Sequence, residues 1–495
     1  MRWAVGIVAW LLLTLWVRPL AIPDEGRYAG VAWEMLRSGH WLVPTLDGMP
    51  YFHKPPLFYW LAAASMQGLG VHPWSARLAS VLGALLMIGA LHLLVRRQEG
   101  DAAARRSTLV LASMPFLVGG SQFANLDMLV AGCITASVCA GIDGVLQQQR
   151  GQPHRRQVLL ACVFAAIGVL AKGLIGVVLP AAALGLWLLS TRRWRGLRLL
   201  LWWPAWGLAI GIALPWFVLV ERQHPGFLHY FFVVQHFQRF LSTGFNNVQP
   251  FWFYPVVLAG LGLPWTMGVI WWRRAAGAAS ALGPAMACWA LVIVVFFSLP
   301  QSKLVGYVLP ALPPLAYGLS RAWHARWGDV AVWRLAGLSA LLSVAGIVAV
   351  ARHDTKSAQP LATALLARHV GEPLLIVGGY PFDLPLLLGE QEPLPVFLDW
   401  RRSPELQRDS WGKELADAGS FAPDLARRLL RQSEDLGAAL CAASVNWIVL
   451  AQDELPAELR PAVAVVRTPH LRLLRLDLSD PARRQAACPQ TPSRD

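Results

Sequence analysis

An acidic pair opens the first polar segment of the chain, Pro23-Asp24-Glu25-Gly26-Arg27-Tyr28. This segment follows a mostly apolar stretch that ends at Leu20, so its carboxylates lie where a first helix would leave a bilayer. Ionised carboxylates at that depth are costly unless water or a cation meets them. We therefore predict a functional role for Asp24 as a general base, a charge stabiliser or a metal ligand. The structural alternative is a solvated helix cap ahead of the amphipathic stretch 27–38.

A second segment, Tyr51-Phe52-His53-Lys54-Pro55-Pro56, places a lysine beside two prolines and ahead of an aromatic run. The prolines fix an extended turn, and aromatic side chains favour the membrane interface. Lys54 would then be held near the level of the lipid headgroups, where its ammonium suits a lipid-borne phosphate. The structural alternative is an interfacial lysine that extends its side chain towards water.

Further polar residues recur between the apolar stretches of the chain. They are Asn125, Asp127, Lys172, the run from His229 to Phe240 with its His236 and Arg239, Lys303 and Tyr307. On the topology that the arginines predict, all of them face the same compartment. Several cations and two acidic sites at one membrane face indicate a charged substrate that is carried on a lipid.

The composition predicts that these residues are positioned by a polytopic membrane fold. Of the 495 residues, 56% are hydrophobic and only 15% are charged, and the mean hydropathy is +0.45. Water-soluble proteins carry about a quarter charged residues, so this chain has too little polar surface to cover a soluble core. Apolar stretches long enough to span a bilayer recur along most of the first 350 positions. We expect a mainly α fold with about eleven transmembrane helices, and up to about thirteen.

The positive charge follows the pattern of a membrane protein and argues against nucleic-acid binding. The net charge is +14, and the arginines sit in clusters in short loops. The clusters are Arg96 with Arg97, Arg105 with Arg106, Arg150 with Arg155 and Arg156, and the group from Arg192 to Arg198. Cytoplasmic loops collect lysine and arginine, so these clusters mark one side of the bilayer. The expected topology has a cytoplasmic N-terminus, and an odd number of spans puts the C-terminal tail outside.

The composition changes near residue 352, which predicts two domains. Residues 1–351 would form the transmembrane domain, with long outer loops at 22–76 and 220–252. In 352–495, short β-rich runs alternate with charged helical stretches, which favours a small α/β domain on the outer side. Cys441 and Cys488 lie in this tail and could form a disulfide in an oxidising compartment.

The motifs resemble those of the bacterial aminoarabinose transferase and dolichyl-phosphate-mannose protein mannosyltransferase group of the GT-C glycosyltransferases. The similar pieces run in family order over about residues 20 to 310, and the tail is similar only in its placement. They are Pro23-Asp24-Glu25 with Arg27-Tyr28, Glu34-Met35-Leu36 with Ser38-Gly39, Tyr51-Phe52 with Lys54-Pro55, Ala171-Lys172-Gly173, Tyr230-Phe231-Phe232, His236 with Arg239-Phe240, and Ser302-Lys303-Leu304 with Tyr307.

This resemblance implies an inverting transfer of a sugar from an undecaprenyl-phosphate carrier to an envelope acceptor such as lipid A, at the periplasmic face of the inner membrane. It makes Asp24 the leading catalytic carboxylate, with Glu25 and Asp127 as further catalytic candidates. The implied residues for the carrier phosphate and substrate are Arg27, Tyr28, Tyr51, Lys54, Lys172, His236, Arg239, Lys303 and Tyr307. An acceptor phosphate needs no strong base, whereas an acceptor hydroxyl needs Asp24 or Asp127 to take its proton.

Two departures from the family pattern leave the substrates and a metal open. Aminoarabinose transferases usually carry Glu where this chain has His53, and Glu-His where it has Gln235-His236. His53 and His236 could share a divalent metal, because imidazole is a good ligand for transition metals, although each is more often an ordinary interfacial residue.

Two other functions compete with transfer to lipid A. Protein O-mannosylation, or transfer to another envelope glycan, would use the same machinery. A transporter of lipid-linked sugars is the alternative from another class. Transporters place polar groups near the bilayer midplane, often within inverted repeats, whereas here the polar groups cluster in predicted outer loops.

Overall fold

The computed structural model describes residues 2–238, 247–272, 280–353, 356–368, 371–390, 392–401, 410–451, 454–481, 484 and 488. These residues form two compact units. The membrane unit comprises Met1–Arg18, Lys54–Thr243 and Asn247–Arg352. The loop–tail unit comprises Pro19–His53, Gly244–Asn246 and His353–Asp495, so the beginning of the first predicted loop shares a unit with the C-terminal tail.

The membrane unit is built from helices. They are Arg2–Leu12, Leu57–Leu69, Pro73–Glu99, Asp101–Ser113, Pro115–Ser121, Leu126–Gln149, Arg155–Lys172, Ile175–Ser190, Trp194–Leu200, Trp203–Gln223, the π-helical His229–Gln238, Phe253–Leu261, the 3₁₀ segments Trp265–Trp271 and Val305–Ala311, Gly283–Ser298, and Leu312–His353, which is interrupted at Gly328. The mainly helical fold that the composition predicts is therefore confirmed.

Among the described residues, four segments are long and apolar enough to cross a membrane: Pro73–Glu99, Leu126–Gln149, Trp203–Gln223 and Val305–His353. A fifth is obtained if Phe253–Leu261 and Trp265–Trp271, which meet at 107°, count as one broken span. Shorter apolar helices, such as Ile175–Ser190, accompany them. The count of about eleven spans stays a prediction. Proline and glycine divide the apolar stretches of the described chain into shorter helices, so the number of long helices does not give the number of spans.

Two long helices of this unit touch through glycine. A Cβ atom added at Gly132 would lie 2.3 Å from the carbonyl oxygen of Gly83, and one at Gly83 would lie 2.5 Å from that of Met128. Small residues let membrane helices approach until their backbones are in contact. This contact fixes the helix Leu126–Gln149, which carries Asp127 in its first turn.

Gly132→Ala should therefore destabilise the protein by about 1–3 kcal/mol, because its methyl group would force these backbones apart. Gly89→Ala is the matched control, since nothing lies within 4 Å of a Cβ there and alanine is the better helix former. Thermal unfolding of the purified variants in detergent measures the difference. Equal melting temperatures for the two variants would contradict the close contact.

The loop–tail unit contains the helix Asp24–Ser38, a short hairpin and the sheet of the tail. The hairpin pairs Thr45–Leu46 with Met49–Pro50. The six-stranded sheet runs in the order Leu430–Arg431, Val396–Phe397, Leu374–Val377, Val445–Leu450, Arg472–Asp477 and Val463–Arg467. The first four strands are parallel to one another, and Arg472–Asp477 runs antiparallel to both of its neighbours, Val445–Leu450 and Val463–Arg467.

Helices connect the strands of this sheet, as the predicted alternation of short β runs and helical stretches requires. They are Leu384–Leu388, Trp411–Ser420, Pro423–Leu429 and Leu436–Cys441, and a further helix, Gln359–Arg368, precedes the first strand. Cys441 and Cys488 form a disulfide with a Cα–Cα separation of 5.9 Å. The sequence therefore predicted the small sheet-containing tail, and its division at residue 352 stays a prediction.

Two buried carboxyl groups fix the turn of the hairpin. Glu34 accepts hydrogen bonds from Thr45 Oγ1 at 2.7 Å and from the backbone N–H groups of Asp47 and Gly48. Asp47 accepts from Tyr380 Oη at 3.0 Å and from the N–H of Leu394 at 2.9 Å. Burial raises the pKa of both carboxyl groups, and the charge of Glu34 helps to bring the pKa of Asp47 to about 7. Asp47 therefore binds its proton more tightly in the folded state than in the unfolded chain.

This shift predicts that stability falls as the pH rises. Below the unfolded pKa of 3.8 both states are protonated, whereas between there and about 7 the folded state holds a proton that the unfolded chain releases. The contribution of Asp47 to the free energy of unfolding should thus decrease across that window by at most about 1.4 kcal/mol per pH unit. Asp47→Asn should flatten this slope, and the exposed Asp424→Asn should leave it unchanged. Unfolding followed between about pH 5 and pH 7.5 tests this, and equal slopes for wild type and Asp47→Asn would refute it.

Candidate active site

Asp24 is the first residue of the helix Asp24–Ser38. Its side chain is 51% exposed, and its Oδ1 accepts a hydrogen bond from Arg27 Nη2 at 2.7 Å. Glu25 differs, because it is buried and its Oε2 accepts from the backbone N–H of Ala21 at 3.0 Å. Of the two adjacent carboxylates, Asp24 is the one that solvent reaches, whereas Glu25 binds the backbone where the helix begins.

Arg27 lies buried behind Asp24 and contacts a second carboxylate. Its Nη1 donates to Glu414 of the tail helix Trp411–Ser420, and its guanidinium lies 5.0 Å from the ring centre of Tyr28. Burial alone would lower the pKa of Arg27, but Glu414, Tyr51, Tyr28 and Asp24 together hold it well above its ordinary value. Arg27 is thus a permanent cation between two carboxylates.

Tyr51 and His53 extend this cluster along the chain. The hydroxyl of Tyr51 donates to Glu414 Oε2 at 2.9 Å, and its ring stacks on that of His53 with centroids 4.8 Å apart. His53 Nε2 lies 3.4 Å from Asp417 Oδ2, and Lys413 Nζ donates to Asp417 at 3.0 Å. Burial would raise the pKa of Asp417, but His53 and Lys413 outweigh it, so the pKa is lowered.

The structure therefore brings together five of the predicted residues: Asp24, Arg27, Tyr28, Tyr51 and His53. We call this set, with Glu414 and Asp417, the Arg27 cluster. Sequence reasoning missed Glu414 and Asp417. The available signal was weak: two carboxylates three residues apart, on one face of a helical stretch in the tail.

The predicted metal site stays a prediction. Among the described residues, no group of three or more His, Cys, Asp and Glu side chains is placed to hold a metal ion. His53 faces Asp417. The side chain of His236, and all of Arg239, lie outside the described residues.

A second group of predicted residues meets inside the membrane unit. Asp127 lies in the first turn of its helix, where Asn125 Oδ1 accepts from its N–H at 2.8 Å. Lys172, the last residue of the helix Arg155–Lys172, donates to Asp127 Oδ1, and its Nζ lies 4.2 Å from the ring centre of Tyr307. These three residues line a small pocket with Gly306. A cation near an aromatic face and a carboxylate is a desolvated, electrostatically balanced arrangement.

The other two predicted lysines lie in loops of the same unit. Lys303 is buried, and its Nζ donates to the carbonyl groups of Gln249 at 2.8 Å and Pro300 at 2.5 Å. Lys54 is half-buried in the turn that precedes the helix Leu57–Leu69.

The fold of this chain is similar to those of two solved structures. It matches ArnT from Cupriavidus metallidurans bound to undecaprenyl phosphate with a TM-score of 0.81 over 96% of this chain and 98% of that one, at 24% identity. The apo structure of the same protein matches with a TM-score of 0.80 at 23% identity.

In sequence the chain is similar to the undecaprenyl phosphate-alpha-4-amino-4-deoxy-L-arabinose arabinosyl transferases. It is 34% identical to that of Erwinia tasmaniensis over 320 residues, which are 62% of this chain and 56% of the relative. It is 32% identical to transferase 2 of Pseudomonas fluorescens over 361 residues, 69% of this chain and 63% of the relative. The chain thus spans less than two thirds of the relatives it matches. Residues 53–219 also match the family model of the dolichyl-phosphate-mannose-protein mannosyltransferases. The predicted resemblance is confirmed.

The Asp127–Lys172 pair predicts a specific pattern of stability. Asp127→Asn or Lys172→Met alone leaves an uncompensated charge in a buried site, which costs about 3–5 kcal/mol, whereas the double variant removes both charges and should recover most of that loss. Melting temperatures of the three variants in detergent test this. The exposed Asp424–Arg427 pair is the control, because Asp424→Asn should change little. Single variants as stable as wild type would show that the pair contributes nothing.

Proposed function

We propose that this protein transfers a sugar from an undecaprenyl-phosphate donor to an envelope acceptor such as lipid A. The observation that carries the proposal is a solvent-exposed carboxylate, Asp24, held by a buried arginine within a motif similar to that of the aminoarabinose transferases. The names of the relatives and the carrier bound in the structure of ArnT from Cupriavidus metallidurans support the donor class.

In the proposed reaction the acceptor oxygen attacks the anomeric carbon of the sugar while the carrier phosphate leaves, which inverts the configuration. Asp24 takes the proton of an acceptor hydroxyl, or stabilises the positive charge that develops on the sugar when the acceptor is an anionic phosphate. The leaving phosphate needs cations, and Lys54, Lys303 and Arg239 with the hydroxyl of Tyr307 are the candidates. Arg27 and Tyr51 are weaker candidates, because a phosphate would have to displace Glu414 from both of them.

We place the protein in the bacterial inner membrane with its tail in the periplasm. The Cys441–Cys488 disulfide supports this location of the tail, because disulfides persist in oxidising compartments and are reduced in the cytosol. The arginine clusters support a cytoplasmic position for the opposite loops.

Transfer of a sugar to protein is the second candidate, and the match of residues 53–219 to the mannosyltransferase family model favours it.

Mass spectrometry of envelope lipids, glycans and proteins from a deletion strain, compared with the complemented strain, separates the two candidate functions. Loss of a sugar from lipid A supports the first proposal. Unchanged lipid A with a missing protein glycan supports the second. Loss of a glycan together with lipid-linked sugar held at the cytoplasmic face would instead indicate a transporter.

Asp24→Asn should abolish transfer, with a loss of at least about a hundredfold, because general-base assistance is worth about a hundredfold or more. Expression should stay normal, since the side chain is half exposed and its loss leaves no cavity. Asp101→Asn, at an exposed surface pair with Arg96, is the matched control and should keep full activity. The assay is sugar transfer by membranes that contain equal amounts of each variant. Wild-type activity in Asp24→Asn would remove the catalytic assignment.

A further inference from the structure

One turn of the tail helix Trp411–Ser420 presents two carboxylates, Glu414 and Asp417, to residues of the first loop. Their side chains are only 9% and 19% exposed. Burying an ionised carboxylate costs free energy unless cations and hydrogen-bond donors meet it. Glu414 meets Arg27 and Tyr51, whereas Asp417 meets His53 and Lys413.

Glu414 holds two of these residues at once. One carboxylate oxygen accepts from Arg27 and the other accepts from Tyr51 Oη at 2.9 Å. The guanidinium of Arg27 also lies 5.0 Å from the ring centre of Tyr28 and 6.0 Å from that of Phe382. Glu414 and the two rings thereby fix the guanidinium of Arg27, and its Nη2 donates to Asp24.

The exposed carboxylate of Asp24 needs such a fixed partner. An ion pair between residues three apart on a helix surface is normally weak, because both side chains must give up rotamer freedom to form it. Burial and Glu414 have already removed that freedom from Arg27. The remaining contact can then set the direction of the Asp24 carboxylate without further ordering during the reaction.

Asp417 strengthens the same arrangement one turn further along the helix. Its contact with His53, at 3.4 Å, and the stacking of His53 on Tyr51 hold this part of the first loop against this helix. The tail helix therefore contacts the first loop at two points, Arg27 and the Tyr51–His53 pair.

We propose that Glu414 is a positioning residue for sugar transfer: it holds Arg27 so that Arg27 orients the carboxylate of Asp24. This inference rests on the proposed function, and it gives the C-terminal domain a direct part in the reaction. In the alternative role, Glu414 would compete with the donor phosphate for Arg27. Its removal would then lower the KM for the donor and leave kcat unchanged.

Glu414→Gln tests the inference, because it keeps the size of the side chain and removes its charge. We expect kcat to fall at least about tenfold while the KM for the undecaprenyl-phosphate sugar changes less than about threefold, since misplacement of a catalytic group by about 1 Å can cost a hundredfold. Asp424→Asn, a surface carboxylate of the same domain, should match wild type. An unchanged kcat, or a lower donor KM at an unchanged kcat, would overturn the inference.

A double-mutant cycle separates positioning from a general loss of structure. If Glu414 acts through Arg27, adding Glu414→Gln to Arg27→Met should lower kcat no further than Arg27→Met alone. Independent, additive losses would overturn the inference.

If Glu414→Gln fails to fold, judged by its melting temperature and its Cys441–Cys488 disulfide, Tyr51→Phe replaces it. This variant removes the other partner of Glu414 and should lower kcat by about threefold at constant donor KM, whereas a raised KM at constant kcat would overturn the inference.

The outcome for wild type distinguishes this inference from the proposed function. If wild type transfers sugar and Glu414→Gln transfers it equally well, the positioning role fails and the proposed function stands. If wild type transfers no sugar from any donor, the proposed function fails. An experimental structure of Glu414→Gln then still tests the structural part of the inference: loss of the 2.7 Å contact between Arg27 and Asp24 would show that Glu414 fixes Asp24, and a retained contact would refute this.

Discussion

A guanidinium buried between two carboxylates is the interaction on which the loop–tail unit depends. Arg27 cannot lose its charge, so the burial of its guanidinium requires partners that stay ionised. Asp24 supplies one and Glu414 the other, and the two come from opposite ends of the chain. The helix Asp24–Ser38 is thereby joined to the tail, and the hairpin that follows it is held by Tyr51 and by the buried carboxyl groups of Glu34 and Asp47.

The membrane unit meets the same constraint with Asp127 and Lys172. Its helices approach closely enough at Gly83 and Gly132 that the backbone fixes where Asp127 lies. Lys172 then compensates the carboxylate charge, and the ring of Tyr307 covers the ammonium. Arg27 and Lys172 therefore each have a carboxylate partner and an aromatic neighbour. Such pairs contribute little net stability, but they leave charged groups in fixed positions, which a reaction that transfers a phosphate-linked sugar requires.

The sequence predicted the residues of both clusters better than their contacts. Asp24, Arg27, Asp127 and Lys172 were found because charge is expensive near a membrane, so its presence indicates function or pairing. Their partners depend on which segments pack together, and no local pattern reports that. Glu414 lies in an amphipathic helix of the tail, where a carboxylate is ordinarily a solvated surface group. The sheet-containing tail was predictable from alternating β-rich runs, whereas Leu430–Arg431 is too short a strand to be recognised in a sequence. The helix count was least predictable, because prolines and glycines divide apolar stretches into pieces whose ends depend on their neighbours.

The distance along the chain between Arg27 and Glu414 has a consequence for biosynthesis. These residues are 387 positions apart, so the ribosome makes the helix Asp24–Ser38 long before its partner in the tail. Until the tail emerges and folds, Arg27 has only Asp24 to balance its charge, and the first loop cannot be buried without leaving part of that guanidinium without a partner. Contacts of such long range form slowly and late. We therefore expect a chain that stops short of residue 414 to remain an unfinished, protease-sensitive product, so that Asp24 becomes ordered only in chains that include Glu414.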